Sequence, residues 1–379
     1  MMAIWMCGSL LSGYAQKVQA ADPVIRVLLT TTEFRSYYHE TVRIAYNGKE
    51  RTYQAEELNR QGTTVRIPAQ KDGIRIMSTE RQYGNPVYSG SMEIIPRKEG
   101  LVLVNELTLE QYLTGVVPSE MPAGYASEAL KAQAVCARTY AWKQIQEYRV
   151  EEGDADVDDS VSFQVYGNVE PQASSTEAVR ETTGQILCQN GEPIEAYYFS
   201  TSAGVTSTDE IWGAAKASGF LKSVPCTFDA EEPWSSWSVE EPWTMIEERV
   251  KDRAGQGTEL KAVTVTKRSE SGAATELEIV TDTDSFEINN EYEIRKFLAP
   301  TDCEITEKNG MQTTGGVLLP SAYFELENSP GEKLVLSGKG YGHGVGMSQT
   351  GANRMAEQGY TYREILDYFF QNVTIENLG

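Results

Sequence analysis

The sequence predicts an α+β fold, strand-rich, with a few packed helices around an active-site cleft. Three observations lead there. Residues 24–104 break into short apolar or alternating runs divided by turn residues. A capping box and a long alanine-containing apolar stripe follow at 108–148. An Asn-Gly dipeptide then lies between two strand-like runs at 185–199.

In chain order, Val24–Leu29, Val42–Tyr46, Thr64–Ile67 and Leu101–Val104 are the strand candidates, with turns at Asn47-Gly48 and Lys71-Asp72-Gly73. Thr108-Leu109-Glu110-Gln111 is a capping box. The helix it opens should bury Leu109, Tyr112, Leu113 and Val116, and Pro118 should end it. Ser127 is a suitable N-cap for a second helix reaching about Tyr148, with Leu130, Ala134, Ala137, Ala141, Ile145 and Tyr148 as its inner stripe. Asn190-Gly191 should close a hairpin between strands 185–189 and 192–199. Pro242 can open a helix through Met245, Ile246 and Val250, and Val263–Val265 and Glu276–Val280 read as strands around a turn at Ser271-Gly272. Ser348 can cap a helix that Gly359 ends, and Thr361-Tyr362-Arg363-Glu364 is a second capping box.

No repeat and no long Pro/Gly/Ser linker divides the chain. Residues 1–21 read as a signal peptide or membrane anchor: Ala3–Tyr14 is mostly apolar but too short to span a bilayer, and Val18-Gln19-Ala20 offers small residues for cleavage. Residues 22–379 read as one domain, with a strand-rich part (22–104), a core (105–225), an elaboration of mixed character (226–337) and a glycine-rich motif followed by helices (338–379).

The 379 residues carry 55 acidic against 33 basic side chains, a net charge of −22. That argues against nucleic acid as a partner, which requires a cationic face. An anionic substrate would have to be met by a local group of Lys or Arg. With two histidines, His39 and His343, and no C-x-x-C pair, a Cys/His zinc site has almost no raw material, so neither metal nor cofactor is expected. Cys7 would leave with the signal; Cys136, Cys188, Cys226 and Cys303 permit one or two disulfides without demanding them.

Two places invite a functional reading. Glu120 lies between Pro118 and Pro122, close in sequence to a helix carrying Lys131 and Arg138 two turns apart on one face. Near the C-terminus, Gly338, Gly340, Gly342, Gly344 and Gly346 alternate with Lys339, Tyr341, His343, Val345 and Met347. Were this stretch extended, one face would be bare backbone and the other would carry Lys, Tyr and His together. The bare face suits close approach of a strand, a helix or a sugar ring, or simple packing.

Asn105–Leu113, Gly115–Pro122, Glu128–Val135 and Ala137–Ala141, together with Gly338–Ala352, Ile365-Leu366 and Tyr368, resemble the stage II sporulation protein D family, whose domain is shared by amidase-enhancer proteins of the LytB type. The resemblance covers most of residues 95–375. It implies an exported cell-wall protein acting as a lytic transglycosylase on peptidoglycan glycan strands, with a cell-wall amidase as a further partner. A non-catalytic glycan-binding activator of such an amidase is the alternative. Glu120 falls on the family's catalytic glutamate, Lys131 and Arg138 on its basic helix positions, and His343 and Gln349 in its glycine-rich motif; Tyr341, His343 and Gln349 are accordingly candidate substrate-binding residues. The chain departs from the pattern at Asp158–Gln164, where some members carry Cys/His zinc ligands, and at Phe199 and Ala203, where relatives often have His and Gly.

The resemblance implies that Glu120 serves as lone acid and base, because in a lytic transglycosylase the sugar's own C6 hydroxyl replaces water as nucleophile. A general acid needs a raised pKa, which neighbouring cations would lower. The expectation is that Lys131 and Arg138 instead bind the lactyl carboxylates of peptide-stripped glycan, so that substrate neutralises them.

Overall fold

The computed structural model describes residues 22–378, so the expected signal peptide or anchor at 1–21 lies outside the described residues. The architecture is mixed α+β, with eight helices and six sheets among the described residues. Strand 24–29 runs antiparallel to strand 100–108, pairing Val24 with Thr108 and Leu29 with Leu103, and anchors a five-stranded sheet in the order 65–67, 91–97, 100–108, 24–29, 157–158. A second sheet of four strands includes the hairpin 41–46/49–54 around Asn47-Gly48, followed directly by helix α1 (Ala55–Gln61).

Thr108 ends the long central strand and caps helix α2 (Leu109–Glu120), with the reciprocal Gln111 bond that its sequence predicts. Pro118 does not end this helix. A proline in the last turn forfeits only one backbone bond, to the carbonyl of Thr114, a residue that is itself only half-buried. Helix α3 (Ser127–Glu147) starts after Ala126; Ser127 is inside it and makes no cap bond. Residues 129–139 are buried all round except Lys131, while Ile145 is half-buried and Tyr148 exposed, so α3 is a central helix rather than one with a single inner stripe. Around it pack α2, α4 (Ala173–Glu181), strand 185–189 and the two C-terminal helices. Of the run 192–199 only Glu192–Pro193 and Tyr198–Phe199 are strand, because Pro193 cannot continue the ladder.

Residues 234–336 build a second hydrophobic core around Trp237, Trp243, Ile279 and Leu336. It contains α5 (Trp243–Ala254), α6 (Glu291–Phe297), a five-stranded sheet and the three-stranded sheet that includes the expected strands 260–268 and 274–281. Glu291 joins the two cores, accepting from Trp212 Nε1 at 3.2 Å while paired with Arg295 at 2.7 Å.

The glycine-rich segment is the seam between them. It is not the extended strand that strict alternation suggests: Gly340, Gly342, Gly344 and Gly346 all have positive φ, so the backbone curls. A Cβ on Gly346 would lie 2.1 Å from the carbonyl oxygen of Tyr197, and one on Gly342 2.8 Å from Cβ of Phe199. This approach lets Tyr198 and Phe199 pair in parallel with Met347 and Ser348. Ser348 then caps α7 (Gln349–Glu357), and Thr361 opens α8 (Tyr362–Phe369) through its capping box. Cys136, Cys188, Cys226 and Cys303 are buried and unpaired as thiols.

Gly346→Ala should therefore lower unfolding free energy by about 3 kcal/mol or more, from φ strain and the backbone collision together. Gly359→Ala, at positive φ but in open space, should lose only about 1 kcal/mol. Urea titrations of both variants measure the difference; equal midpoints would contradict the packing described for Gly346.

Candidate active site

Glu120 is the last residue of α2, placed on a rigid element rather than in a loop. Gln349 Nε2 donates to its backbone carbonyl at 3.1 Å, satisfying an acceptor left open by the helix end, and approaches Gln133 Oε1 at 3.4 Å. One turn on, Asn353 Oδ1 accepts from the backbone N–H of Ala126 at 2.9 Å. Gln349 and Asn353 lie on one face of α7 and hold both sides of the α2–α3 corner.

The Glu120 carboxylate accepts from the Val165 N–H at 2.6 Å. Gln164 Nε2 donates to the Tyr198 hydroxyl at 3.0 Å and Tyr112 donates to Gln164 Oε1 at 3.3 Å. With its lone pair so engaged, the Tyr198 hydroxyl has its own proton free for the Glu120 carboxylate, with which it interacts. Burial pushes the Glu120 pKa up to about 7, outweighing the two hydrogen-bond donors that act the other way. The C-terminal end of a helix also disfavours a negative charge.

Glu120 lines a cleft of about 750 Å³ together with Gln82, Tyr83, Pro118, Met121, Pro122 and Glu170. None of Lys131, Arg138, Tyr341 or His343 lines it. Arg138 is fully buried and saturated. Its Nε and one terminal nitrogen each meet Glu110 at 2.7 Å, and its remaining protons go to the carbonyls of Ala134, Val179 and Gln185 and to Thr182 Oγ1. Glu110 is at the other end of α2, ten residues or about 15 Å from Glu120. Lys131 bridges Glu128 and Glu181 at 2.7 Å each. Both cations are therefore paired within the protein, as the expectation that they do not pair with Glu120 requires, but neither lines the cleft in which a substrate carboxylate would meet them.

The curl at the glycines also separates Tyr341 from His343. Tyr341 is exposed and packs on Trp234, ring centroids 4.7 Å apart. His343 is enclosed by Tyr197, Phe199 and Trp212, and burial lowers its pKa to about 4, so it is neutral. Its Nδ1 accepts from the Val345 N–H, leaving the proton on Nε2. Of the candidate binding residues only Gln349 reaches Glu120, through its main chain.

Gln164, Tyr198 and the Val165 N–H were not singled out as site residues from the sequence. Gln164 ends the segment Asp158–Gln164, where Asp158 accepts from Tyr37 and Ser160, and Asp159 from Thr30 and Arg81. Among the described residues, no three His, Cys, Asp or Glu side chains are grouped to hold a metal ion. The available signal for Gln164 was a lone amide in a run of aromatic and β-branched residues.

Residues 97–188 match the family model described as stage II sporulation protein, and residues 214–346 match a domain of unknown function. The stage II sporulation protein D of Bacillus subtilis is 34% identical over 286 residues, covering 72% of this chain and 75% of that protein. The chain belongs to the stage II sporulation protein D family. An uncharacterized protein of Brachyspira hyodysenteriae is 29% identical across 94% of both chains. The amidase enhancer of Bacillus subtilis is 29% identical over 69% of this chain and 40% of its own length. The family match begins inside the central sheet and ends on strand 185–189, so it takes in Glu120, Gln164 and Arg138 but leaves out Tyr198 and Gln349.

Arg138→Ala should cost about 3 kcal/mol or more, since it empties the site of a fully buried guanidinium and takes its donors from Glu110 and from the carbonyls of Ala134, Val179 and Gln185. Lys131→Ala should cost about 1 kcal/mol or less, because its partners are partly solvated. Thermal unfolding measures both. A stable Arg138→Ala protein with selectively weakened binding of stripped glycan would instead restore the substrate-binding assignment.

Proposed function

We propose that the protein is an exported peptidoglycan lytic transglycosylase of cell-wall remodelling or sporulation, with Glu120 as its only acid/base. The observation that carries this reading is the carboxyl of a cleft-lining glutamate whose acidity burial has moved close to neutrality. Near pH 7 such a group is substantially protonated and can donate to the oxygen between C1 of N-acetylmuramic acid and O4 of N-acetylglucosamine. The C1–O4 bond breaks through an oxocarbenium-like state. The resulting Glu120 carboxylate takes the proton of the muramic C6 hydroxyl as that oxygen bonds to C1, closing a 1,6-anhydro ring and restoring the acid. No water is consumed, and no second carboxylate is required. The Val165 N–H and the Tyr198 hydroxyl steady the carboxylate between the two proton transfers.

With Lys131 and Arg138 engaged internally, a preference for peptide-stripped strands has no support from those cations. A second reading, a glycan-binding activator of a cell-wall amidase, is favoured by the likeness to the amidase enhancer.

Glu120→Gln should abolish release of anhydro-disaccharide from purified glycan, as read by mass spectrometry, while binding persists. Retained turnover would remove Glu120 from catalysis, and absence of anhydro ends with the unaltered protein would favour the activator. Because the acid form is needed, kcat/KM should be highest below the Glu120 pKa and fall as pH rises through about 7. Tyr198→Phe removes a donor that stabilises the carboxylate, so this alkaline limb should move to higher pH; an unmoved limb would disconnect Tyr198 from the acid.

A further inference from the structure

We propose that Tyr83 is a sugar-stacking platform, binding a pyranose ring of the glycan strand on the cleft wall; this rests on the cleft being a glycan site. The residue lies outside the stretch matched to the family model and is 73% exposed. A single exposed tyrosine is ordinary. This one differs in its mounting and its position.

Arg81 and Gly84 exchange backbone hydrogen bonds at 2.9 and 3.0 Å, closing a tight turn with Gln82 and Tyr83 at its tip. The turn is anchored beneath by Arg81, whose guanidinium pairs with the fully buried Asp159 at 2.6 Å and lies over the Phe34 ring at 4.5 Å. At the tip, the Gln82 N–H donates to Asn168 Oδ1 at 3.0 Å and Asn168 Nδ2 returns a bond to Gln82 Oε1 at 3.1 Å. Gln82 Nε2 in turn reaches the Tyr83 hydroxyl at 3.2 Å. An exposed ring on a braced turn loses little further freedom on binding, which is where a recognition aromatic is most effective.

Position adds the second argument. Gln82, Tyr83 and Glu120 line the same cleft. The loop 165–169 links them: its Val165 N–H holds the Glu120 carboxylate, its Asn168 holds Gln82, and its Val169 N–H donates to Ser119 Oγ at 3.1 Å. The separation of acid and aromatic wall is thus set by five residues. A pyranose presents axial C–H groups on one face and hydroxyls around its rim, matching an aromatic face with amide groups beside it. Among the described residues the cleft is lined by no Lys or Arg, and Glu170 and Glu120 are its charged residues, so an anionic group gains nothing there and shape and stacking supply the attraction.

The test measures binding of peptide-free peptidoglycan glycan to the Glu120→Gln protein, with and without Tyr83→Ala, Tyr83→Phe and Asn168→Ala, and anhydro-disaccharide release by the Tyr83 variants carrying Glu120. Tyr83→Ala should weaken binding about three- to tenfold with an unchanged unfolding midpoint. Tyr83→Phe should bind nearly as the parent, and Asn168→Ala should fall between. Unaltered binding by Tyr83→Ala, with anhydro release intact, overturns the platform and leaves the transglycosylase reading standing. Tyr83-dependent binding without anhydro release by the unaltered protein keeps the platform and overturns the catalytic reading. No glycan binding by the parent overturns the platform outright.

Discussion

The α2–α3 corner is held from outside, and the site depends on that hold. A helix ending at Glu120 leaves its last carbonyls unsatisfied, and a helix starting after Ala126 leaves its first N–H groups in the same state. The chain answers both from α7, through Gln349 and Asn353, more than two hundred residues away. Neither contact is strong alone, since a net hydrogen bond contributes about 1 kcal/mol. Their value lies in direction: two bonds a helical turn apart fix both the position and the tilt of the corner. The Val165 N–H then orients the Glu120 carboxyl from that fixed backbone.

The acidity of Glu120 follows from what is kept away from it. Its shift to about 7 corresponds to about 3 kcal/mol against the charged form. One unpaired cation at about 4 Å would favour the charged form by about 4 kcal/mol at an effective dielectric of about 20, enough to cancel the shift. The two cations nearest in sequence are both tied down. Arg138 is enclosed with Glu110 at the far end of α2, and Lys131 lies between Glu128 and Glu181. Sequestering them on the same pair of helices that carries the acid leaves burial as the dominant influence.

Local determinants were legible in the sequence, and contacts across the fold were not. Both capping boxes, the Asn47-Gly48 hairpin, the strand 24–29 and the helix after Pro242 follow from residues within one or two turns of each other. Pro118 misled because its cost depends on what happens to a single carbonyl, which is a matter of exposure. The glycine alternation left the backbone open between strand and loop for a related reason. A period of two implies a strand only if φ stays negative, and the demand for positive φ comes from the Tyr197–Phe199 backbone lying against it. Lys131 and Arg138 were placed correctly on one helix, but their partners Glu110 and Glu181 sit on other helices. Glu120 stands out from its place between two prolines and from the family resemblance, whereas Gln164 and Tyr198 become neighbours only once the fold closes.

The second core matters to the site through the same segment that carries the clamp. Gly340 donates to the Trp234 carbonyl and its own carbonyl accepts from Trp237 Nε1 at 3.0 Å, while Gly342 donates to Pro320, all residues of 214–346. From the other side, Thr201 and Tyr341 exchange backbone bonds, and the buried Asp229 carboxylate gathers Ser202, Ser348 and Thr350. The strand that leads into Gln349 is therefore pinned between two cores before it reaches α7. Shifting either core would shift Ser348, then Gln349, then the carbonyl of Glu120. A residue range without any group in the cleft can thus govern the geometry of the acid, because it sets where the clamping helix begins.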